Sequence, residues 1–496
     1  MARQVVSGIR PRGGRSKALA LALTCALAPG LALPAAAAAG EHHPQSTQLA
    51  DRLAHQVTVA GAWRHLEALQ HAADTHHDLR AAGTPGYQAS ARYVTGRLRQ
   101  AGYRVRLQPF SFPDSAPVAE TARLLTPEPR TLHPLLARYS ASLPASGWTG
   151  SLAVPPQGGA AAYGCRPGDY AHGDFRGRAV LLRYGLCDVA AKLRQAAAAG
   201  ASVVLLNVDQ QPAGMNIRAG VRPPSAAVLP VATLPRDESE QLAADTARGP
   251  VRLALDLRGR AFTNHTFNVL ADTPTGRPEH TVVVGAHLDS ATEGPGVNDN
   301  GSSVAMTLET ALRLAPYAKE IHNRVRFAFW GAEEEGLYGS TYYVSQLTAA
   351  ERRQTALDLN FETIASPNYL RLVYHGSGAV PPGTGSVEKV LLDRFADRRL
   401  PTAPLEFDGR SDFVPFIAAG IPAGGGSSGY NQVKTPEWQK LFGGRAGAIA
   451  DPCYHQRCDA LGHLNRTILG QLGDALAWAT GRFAVDTADV ERGRLT

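Results

Sequence analysis

Short runs of apolar residues, each long enough for a buried strand, recur through the second half of the chain. They occupy 268–271, 281–285, 324–330 and 356–361, and a helical pattern covers 304–314. Strands that are apolar almost throughout and alternate with helices are typical of an α/β sheet covered on both faces. In such sheets, ligands bind beyond the carboxyl ends of the strands. We therefore expect functional residues to follow these apolar runs directly.

The first half of the chain divides into two parts with different patterns. Residues 45–101 have apolar positions mostly at helical spacing, and 103–110 alternates like a strand. From about Pro113 to Arg260 the chain is rich in proline, glycine and alanine. Within this part the pattern predicts strands at 179–183, 202–207 and 230–234 and a helix at 189–199. It carries no cluster of histidines and carboxylates, which indicates an inserted domain.

The N-terminus has the three-part pattern of a secretory signal. Basic residues precede an apolar run at 18–33, and small residues follow it. The alternative, a membrane anchor, is less favoured because prolines interrupt the run and it is short for a membrane span. Cys25 suggests lipidation, but the residues before it fit a lipoprotein cleavage box poorly. We expect a signal peptide over residues 1–39 and a secreted, extracellular protein.

Composition and charge exclude several classes of protein. Apolar residues make up 44% and charged residues 19%, which is ordinary for a globular protein and argues against disorder. The net charge of +7 includes the basic residues of the signal, and no basic run is interleaved with aromatic residues. Nucleic acid is therefore not expected as a partner. No segment after the signal is apolar enough to span a bilayer, so no membrane association is expected once the signal is removed.

The cysteines fit an exported protein. Four remain after the predicted signal, and an even number in this context favours two disulfides. Sequence order suggests the pairs Cys165–Cys187 and Cys453–Cys458. The alternative is that these are reduced, buried thiols.

Histidines and carboxylates lie at turns and element ends of the second half, and His287, Glu333, Glu334 and Glu362 fall just after predicted strands. This set comprises His287, Asp289, Asp299, Glu333, Glu334, Glu362 and His455. Nitrogen and oxygen ligands in this mixture suit zinc, and a spare glutamate would be available as a general base. The residues therefore predict a two-metal hydrolase.

Five short motifs in this order resemble peptidase family M28, the co-catalytic zinc aminopeptidases. They are His287-x-Asp289, Asn298-Asp-Asn-Gly301, Gly331-Ala-Glu-Glu334, Asn360-Phe-Glu362 and Cys453-Tyr-His455. The likeness is greatest to the secreted bacterial and vacuolar leucine-type enzymes, and it includes Arg80-Ala-Ala-Gly-Thr-Pro-Gly86. The insert resembles a protease-associated (PA) domain.

The resemblance implies a fold and a division into domains. The fold is the zinc exopeptidase fold, an α/β architecture with a mixed, mostly parallel central sheet and helices on both faces. The expected parts are a catalytic domain at 40–112 and 261–484, a PA domain at 113–260 and a C-terminal tail at 485–496. The insert has no ligand cluster, so we expect it to be dispensable for the chemistry itself.

The resemblance also assigns metal ligands for two Zn²⁺ ions. His287 would bind the first ion, Asp299 would bridge both, Glu334 and His455 would bind the second, and Glu362 would complete the first. A bridging carboxylate uses its two oxygens to hold ions about 3.5–4 Å apart. The family often has aspartate where this chain has Glu362. Asp289 would not bind the metal itself but would fix the tautomer and orientation of the His287 ring.

Catalytic and substrate-side roles follow from the same likeness. Glu333 would be the general base, and Tyr454 would donate to the oxyanion of the tetrahedral intermediate. The alternative for Tyr454 is a core aromatic residue. Arg410 lies in Gly409-Arg-Ser-Asp412, which resembles the family's substrate-side loop. Glu335, next to the assigned pair, is expected to be exposed to solvent.

The predicted function is a secreted, monomeric aminopeptidase that acts on peptides with a free N-terminus. One alternative is a carboxypeptidase or dipeptidase of the same fold, for which Arg410 alone is thin support. A single-zinc glutaminyl cyclase is a second alternative, but the complete ligand set argues against it. A receptor with a degenerate metal site is the third, and this chain has kept every ligand.

Overall fold

A computed structural model describes residues 44–156, 158–209, 211, 215–376 and 380–495. The predicted signal peptide at 1–39, including Cys25, lies outside the described residues. The helices of the described part are α1 Pro44–Gln56, α2 Val59–Asp74, α3 Pro85–Gln100, α4 Val189–Ala198, α5 Arg236–Arg248, α6 Gly301–Leu314, α7 Tyr338–Ser345, α8 Ala349–Gln354, α9 Thr384–Asp397, α10 Phe413–Ala418, α11 Pro436–Phe442, α12 Arg466–Val485 and α13 Ala488–Leu495.

The strands join into one long sheet. They are β1 Arg104–Thr126, β2 Arg130–Leu132, β3 Leu135–Leu136, β4 Trp148–Ala153, β5 Ala179–Arg183, β6 Val203–Asn207, β7 Val231–Leu234, β8 Arg252–Asp272, β9 Arg277–His287, β10 Asn323–Trp330, β11 Thr355–Glu362, β12 Leu372–Tyr374, β13 Ala403–Leu405 and β14 Ala423–Ser427.

Local sequence signals account for several helix starts. Thr84 accepts a hydrogen bond from the Tyr87 N–H and is followed by Pro85 in the first turn of α3. Thr58 caps α2 through the Gly61 N–H, and Asn465 caps α12. These caps satisfy backbone donors that have no partner within the helix.

The predicted catalytic domain, at 40–112 and 261–484, is called the catalytic half below. Its sheet is mixed and mostly parallel, as predicted. Its strands run in the order β13-β12-β14-β11-β9-β10-β8, and the pairs β14/β11, β11/β9 and β9/β10 are parallel. The β10/β8 and β12/β14 pairs are antiparallel. Helices α6 and α12 contribute to the large core that also contains the apolar side chains of β9, β10 and β11.

A long antiparallel ribbon of β1 and β8 connects the catalytic half to the predicted insert. The sequence pattern predicted a strand only at 103–110, but β1 continues to Thr126 and pairs with β8 along that length. Prolines at 109, 113 and 117 interrupt the strand pattern in the sequence, so the pattern did not predict that β1 continues beyond 110. β1 is paired with β8 on one side, and β2 pairs with it only at 122–124, so most of its other edge tolerates residues without an N–H.

The insert extends the sheet through β4, β5, β6, β7 and β3 and has its own apolar cores. The predicted strands at 179–183, 202–207 and 230–234 and the helix at 189–199 correspond to β5, β6, β7 and α4. Both predicted disulfides are present, Cys165–Cys187 and Cys453–Cys458. Pro113 is the register partner of Thr263, so the chain enters the insert and returns from it on adjacent strands.

The expected C-terminal tail is a helix over most of its length. α13 lies against the catalytic half, where Arg494 Nη1 donates to the main-chain oxygen of Thr355 at 2.8 Å. None of the helices in the described part of the chain is both long and apolar enough to cross a membrane.

Candidate metal and catalytic centre

The candidate centre lies where β9, β10 and β11 end. His287 is the last residue of β9, Glu362 is the last residue of β11, and Glu333 follows β10 by three residues. These neighbouring strands are parallel, so their carboxyl ends meet at one edge of the sheet. The positions that the apolar pattern predicted therefore come together in space.

Asp299 lies between two histidines that are far apart in sequence. Its Oδ1 is 3.4 Å from His287 Nε2, and its Oδ2 is 3.0 Å from His455 Nε2. Asn300 ties this segment to the end of β11, because its Nδ2 donates to the Phe361 oxygen and its Oδ1 accepts from the Thr363 N–H. One carboxylate thus faces two separate imidazoles with its two oxygens.

The remaining candidate ligands complete two groups around Asp299. Glu362 Oε1 is 3.3 Å from His287 Nε2, and Glu334 Oε2 is 3.1 Å from His455 Nε2. In the sets His287–Asp299–Glu362 and Asp299–Glu334–His455, the candidate donor atoms all lie within 4.8 Å of one another. The predicted metal ligands are therefore assembled as two groups that share Asp299.

A disulfide closes the short loop that carries His455. Cys453 and Cys458 are five residues apart in sequence and form a disulfide around it. His455 has φ of 55°, a left-handed conformation that costs energy for a residue with a side chain. The Tyr454 ring stacks on His455 with ring centroids 3.9 Å apart, which restricts the imidazole further.

Asp289 makes different contacts from those expected. His287 Nδ1 is 3.1 Å from the main-chain oxygen of Asp289, while the Asp289 carboxylate is 3.8 Å from that nitrogen. The carboxylate instead accepts the backbone N–H groups of Glu333 at 3.3 Å and Glu334 at 3.2 Å. Asp289 thus orients the imidazole through its backbone and the glutamate turn through its side chain.

Electrostatics indicate that this centre needs positive charge. Burial alone would lower the pKa of His287, but Glu362, Glu333 and Asp299 outweigh it and raise that pKa well above its usual value. Burial raises the pKa of Glu362 to about 7 and, together with Glu334, raises the pKa of Glu333 well above its usual range. So many buried carboxylates are costly to ionise without cations between them.

A second observation supports metal binding by these residues. Glu334 Oε1 is buried and has no hydrogen-bond partner among the described residues. An unpartnered buried carboxylate oxygen is costly unless a ligand satisfies it. Two imidazole nitrogens and three carboxylates are also the ligand types that zinc accepts.

The two predicted substrate-side residues lie differently with respect to this centre. Tyr454 stacks on Tyr430 as well as on His455, and burial together with Asp299 and Glu334 raises its pKa well above its usual value. Its hydroxyl is therefore kept protonated as a possible donor. Arg410 has 48% of its side chain exposed, and its Nε lies 3.9 Å from Asp408 Oδ2, the oxygen that also accepts the Tyr430 hydroxyl at 3.1 Å. Arg410 is therefore partly exposed but lies close to Tyr430, which stacks on Tyr454.

The expectation that Glu335 is exposed to solvent is wrong. Only 2% of this side chain is exposed, and its Oε1 is 3.2 Å from Arg138 Nη1. The sequence pattern could not reveal this because the partner lies 197 residues away, in the insert.

Three further residues support the centre without having been assigned. The buried Arg80 donates to the main-chain oxygens of Pro295 and Gly296 at 2.8 and 2.6 Å. Asp459 accepts the backbone N–H of Asp299 at 3.0 Å, and the Ser411 hydroxyl donates to Glu362 at 2.7 Å. Arg80 and Ser411 lie in motifs quoted above, but nothing in the local sequence marks Asp459.

Comparison with known proteins identifies the family of the chain. The profile of Peptidase family M28 matches residues 268–480, and that of the PA domain matches residues 148–242. The chain is 37% identical over 456 residues to a protein named probable lipoprotein aminopeptidase LpqL from Mycobacterium tuberculosis, which covers 89% of this chain and 88% of that protein. It is 35% identical over 443 residues to an aminopeptidase from Pseudomonas aeruginosa, covering 86% and 81% of the two chains.

Solved structures share the fold. An aminopeptidase from Aneurinibacillus sp. strain AM-1 has a TM-score of 0.66 at 23% identity, covering 87% of this chain and 95% of that chain. A zinc aminopeptidase from Bacillus subtilis has a TM-score of 0.64 at 23% identity, covering 86% and 94%. The predicted fold class, family and PA domain are confirmed. The chain therefore belongs to peptidase family M28, as an enzyme of its aminopeptidase class that carries a PA domain.

Proposed function

We propose that this protein is an exported two-zinc aminopeptidase that removes residues from the free N-terminus of peptides. The observation that carries this proposal is the position of Asp299, whose two oxygens face His287 and His455 separately. A carboxylate in this position is suited to bridge two ions. Two disulfides within the described residues support export, because disulfides persist in oxidising compartments.

Each ion would have its own protein ligands. His287, Asp299 and Glu362 would hold the first, and Asp299, Glu334 and His455 would hold the second. When bound, such ions act as Lewis acids that polarise the scissile carbonyl and make water more acidic.

Glu333 is the candidate general base. Its Oε2 lies 3.9 Å from His287 Nε2, and 8% of the residue is exposed. Glu333 also forms a third candidate group with His287 and Glu334, so it lies directly beside the two groups that share Asp299. The backbone N–H of Glu333 is held by Asp289, which limits movement of the turn. In this position Glu333 would take a proton from the attacking water and deliver it to the leaving amine.

Tyr454 and the carboxylates would orient the substrate. The Tyr454 hydroxyl would donate to the oxygen of the tetrahedral intermediate, since its ring is fixed by stacking on both sides. The buried carboxylates of Glu333 and Glu362 would attract the substrate's free amine. This requirement for an amine is what would make the enzyme an exopeptidase that acts at the N-terminus.

A pair of matched substrates tests the proposal. The purified, zinc-loaded protein should release the first residue of an unblocked peptide and leave the N-acetylated form of the same peptide intact. Liquid chromatography with mass detection reads both reactions. Cleavage of the acetylated peptide at an internal bond would contradict the aminopeptidase function, and release of the C-terminal residue would support the carboxypeptidase alternative.

A further inference from the structure

Arg138 belongs structurally to the insert. Its backbone N–H donates to the Ala219 oxygen at 2.8 Å, and its own oxygen accepts the Val221 N–H at 3.1 Å. These bonds fix Arg138 beside the 219–221 segment, close to β3 and β7. Its side chain is 9% exposed, so the charged group is buried.

The guanidinium of Arg138 reaches two loops of the catalytic half. Nη1 is 3.2 Å from Glu335 Oε1 and 3.5 Å from Asp114 Oδ1, and Nη2 donates to Thr292 Oγ1 at 3.3 Å. The hydroxyl of the next residue, Tyr139, lies 3.4 Å from the main-chain oxygen of Glu335. Two adjacent residues of the insert therefore contact both the side chain and the backbone of Glu335.

Glu335 shares a tight turn with the candidate base Glu333 and the candidate metal ligand Glu334. It directly follows Glu333 and Glu334, and the N–H groups of Gly336 and Leu337 both donate to the Glu333 oxygen at 2.8 Å. These bonds close a tight turn around Glu335. A shift of the Glu335 side chain is therefore transmitted to the candidate base and to a candidate metal ligand.

A second arginine of the insert repeats the arrangement on the neighbouring loop. Arg218 Nε is 2.8 Å from Glu293 Oε1, and its Nη1 donates to Glu120 at 2.9 Å and to the Leu136 oxygen at 2.6 Å. Glu293 lies in the loop between His287 and Asp299. In addition, Gln456, next to His455, donates to the Asn216 oxygen at 2.8 Å. The insert thus contacts three loops that carry candidate ligands.

We propose that Arg138 is a positioning residue for the catalytic centre, supplied by the insert, which holds the Glu333–Glu335 turn in register with the loop that contains Thr292. Arg218 holds the same loop at the next residue, Glu293. This reverses the expectation that the insert is dispensable for the chemistry. The inference rests on the proposed function for its kinetic readout, but not for its metal-binding readout.

The physical reason is the low exposure of both partners. A buried carboxylate that loses its counter-charge must be neutralised, exposed to water or moved. Asp114 contacts the same Arg138 nitrogen as Glu335, so loss of the arginine leaves two neighbouring carboxylates without their shared counter-charge. A lysine cannot replace the fork that reaches Glu335 and Thr292 together.

The test compares full-length variants that remove the same type of ion pair at two places. Arg138→Met removes the proposed positioning contact. Arg130→Met removes an ion pair inside the insert, where Arg130 Nη2 lies 2.9 Å from Asp245. Arg138→Lys, Glu335→Gln and the double variant Arg138→Met/Glu335→Gln complete the set. The readouts are kcat and KM on a small aminoacyl chromogen, zinc affinity by competition with a chelator, and melting temperature.

Arg138→Met should lower kcat and weaken zinc binding by about 10–100-fold, as loss of a group that orients metal ligands typically does. KM should stay close to that of the wild type. Arg138→Lys should recover only part of the loss. The double variant should recover more than Arg138→Met alone, because it no longer contains an uncompensated buried carboxylate. Arg130→Met should change the melting temperature but neither kcat nor zinc affinity.

Equal kcat and zinc affinity in Arg138→Met and Arg130→Met would overturn the inference and leave Arg138 with a role in stability alone. If Arg138→Met does not fold, Arg138→Lys and Glu335→Gln decide in the same way, with unchanged kcat and zinc affinity in both as the contrary result. A wild-type protein that binds zinc but does not cleave the chromogen would refute the proposed function. In that case the zinc affinities of the variants would still test the positioning role.

Discussion

The carboxylate of Asp289 accepts the backbone N–H of Glu334 at 3.2 Å. This contact joins the loop after β9 to the loop after β10, and through its other oxygen Asp289 also accepts the Glu333 N–H. The residue that follows His287 by two thus fixes the turn on which the candidate base and a candidate ligand lie.

Asp289→Asn should lower kcat by about 10–100-fold, the usual effect of losing a group that orients metal ligands. Asparagine offers one acceptor and one donor, so one of the two backbone N–H groups would face an NH₂ group and lose its partner. The control is Asp256→Asn, which alters a carboxylate paired with Arg258 in the insert. Steady-state kinetics of both variants check this, and equal activity would contradict the role of Asp289.

Glu333→Gln should keep both zinc ions and lose turnover by about 10²–10⁴-fold, which is the usual contribution of a general base. The amide has nearly the same shape but cannot accept a proton. Zinc per protein is measured by mass spectrometry and turnover on an unblocked peptide. Glu240→Gln, a half-exposed residue paired with Arg236, serves as control. Loss of a metal together with the activity would identify Glu333 as a ligand instead.

Substitution of the candidate ligands should separate the two ions. His455→Ala and Glu334→Ala should each weaken one ion, and His287→Ala and Glu362→Ala the other, because the histidines of the two pairs face different oxygens of Asp299. Asp299→Ala should weaken both. Zinc titration of the apo-protein gives the stoichiometry and affinities, with His375→Ala, a 40% exposed histidine, as control. The same loss in every variant would mean that the two sites do not exist separately.

Removal of the two disulfides should affect stability and activity to different degrees. Chain-entropy arguments give about 3 kcal/mol for a closure like that of Cys165–Cys187 and about 2 kcal/mol for one as short as Cys453–Cys458. Replacing Cys453 and Cys458 by serine should therefore cost less stability but more activity, because His455 lies within that loop. Denaturant unfolding and kcat measured on both double variants check the comparison. A larger loss of activity from the Cys165–Cys187 variant would contradict it.

The sequence by itself predicted the family, much of the fold and the residues of the candidate centre. The apolar runs at 281–285, 324–330 and 356–361 are strands; His287 and Glu362 end two of them, and Glu333 follows the third by three residues. These features are readable because they are local: strand periodicity, helix caps and motif spacing depend on neighbouring residues. Sequence order was also enough to pair the cysteines.

Tertiary structure alone decided which partners the buried polar side chains have. The Asp289 carboxylate binds a turn 44 and 45 residues away, and Glu335 meets Arg138 at a separation of 197 residues. No periodicity encodes such contacts, because they depend on how segments that are distant in the sequence pack together. The same reason explains the length of β1, whose prolines are tolerated only because most of its outer edge is unpaired. The contacts between the insert and the loops of the candidate centre are therefore visible only in the packed molecule.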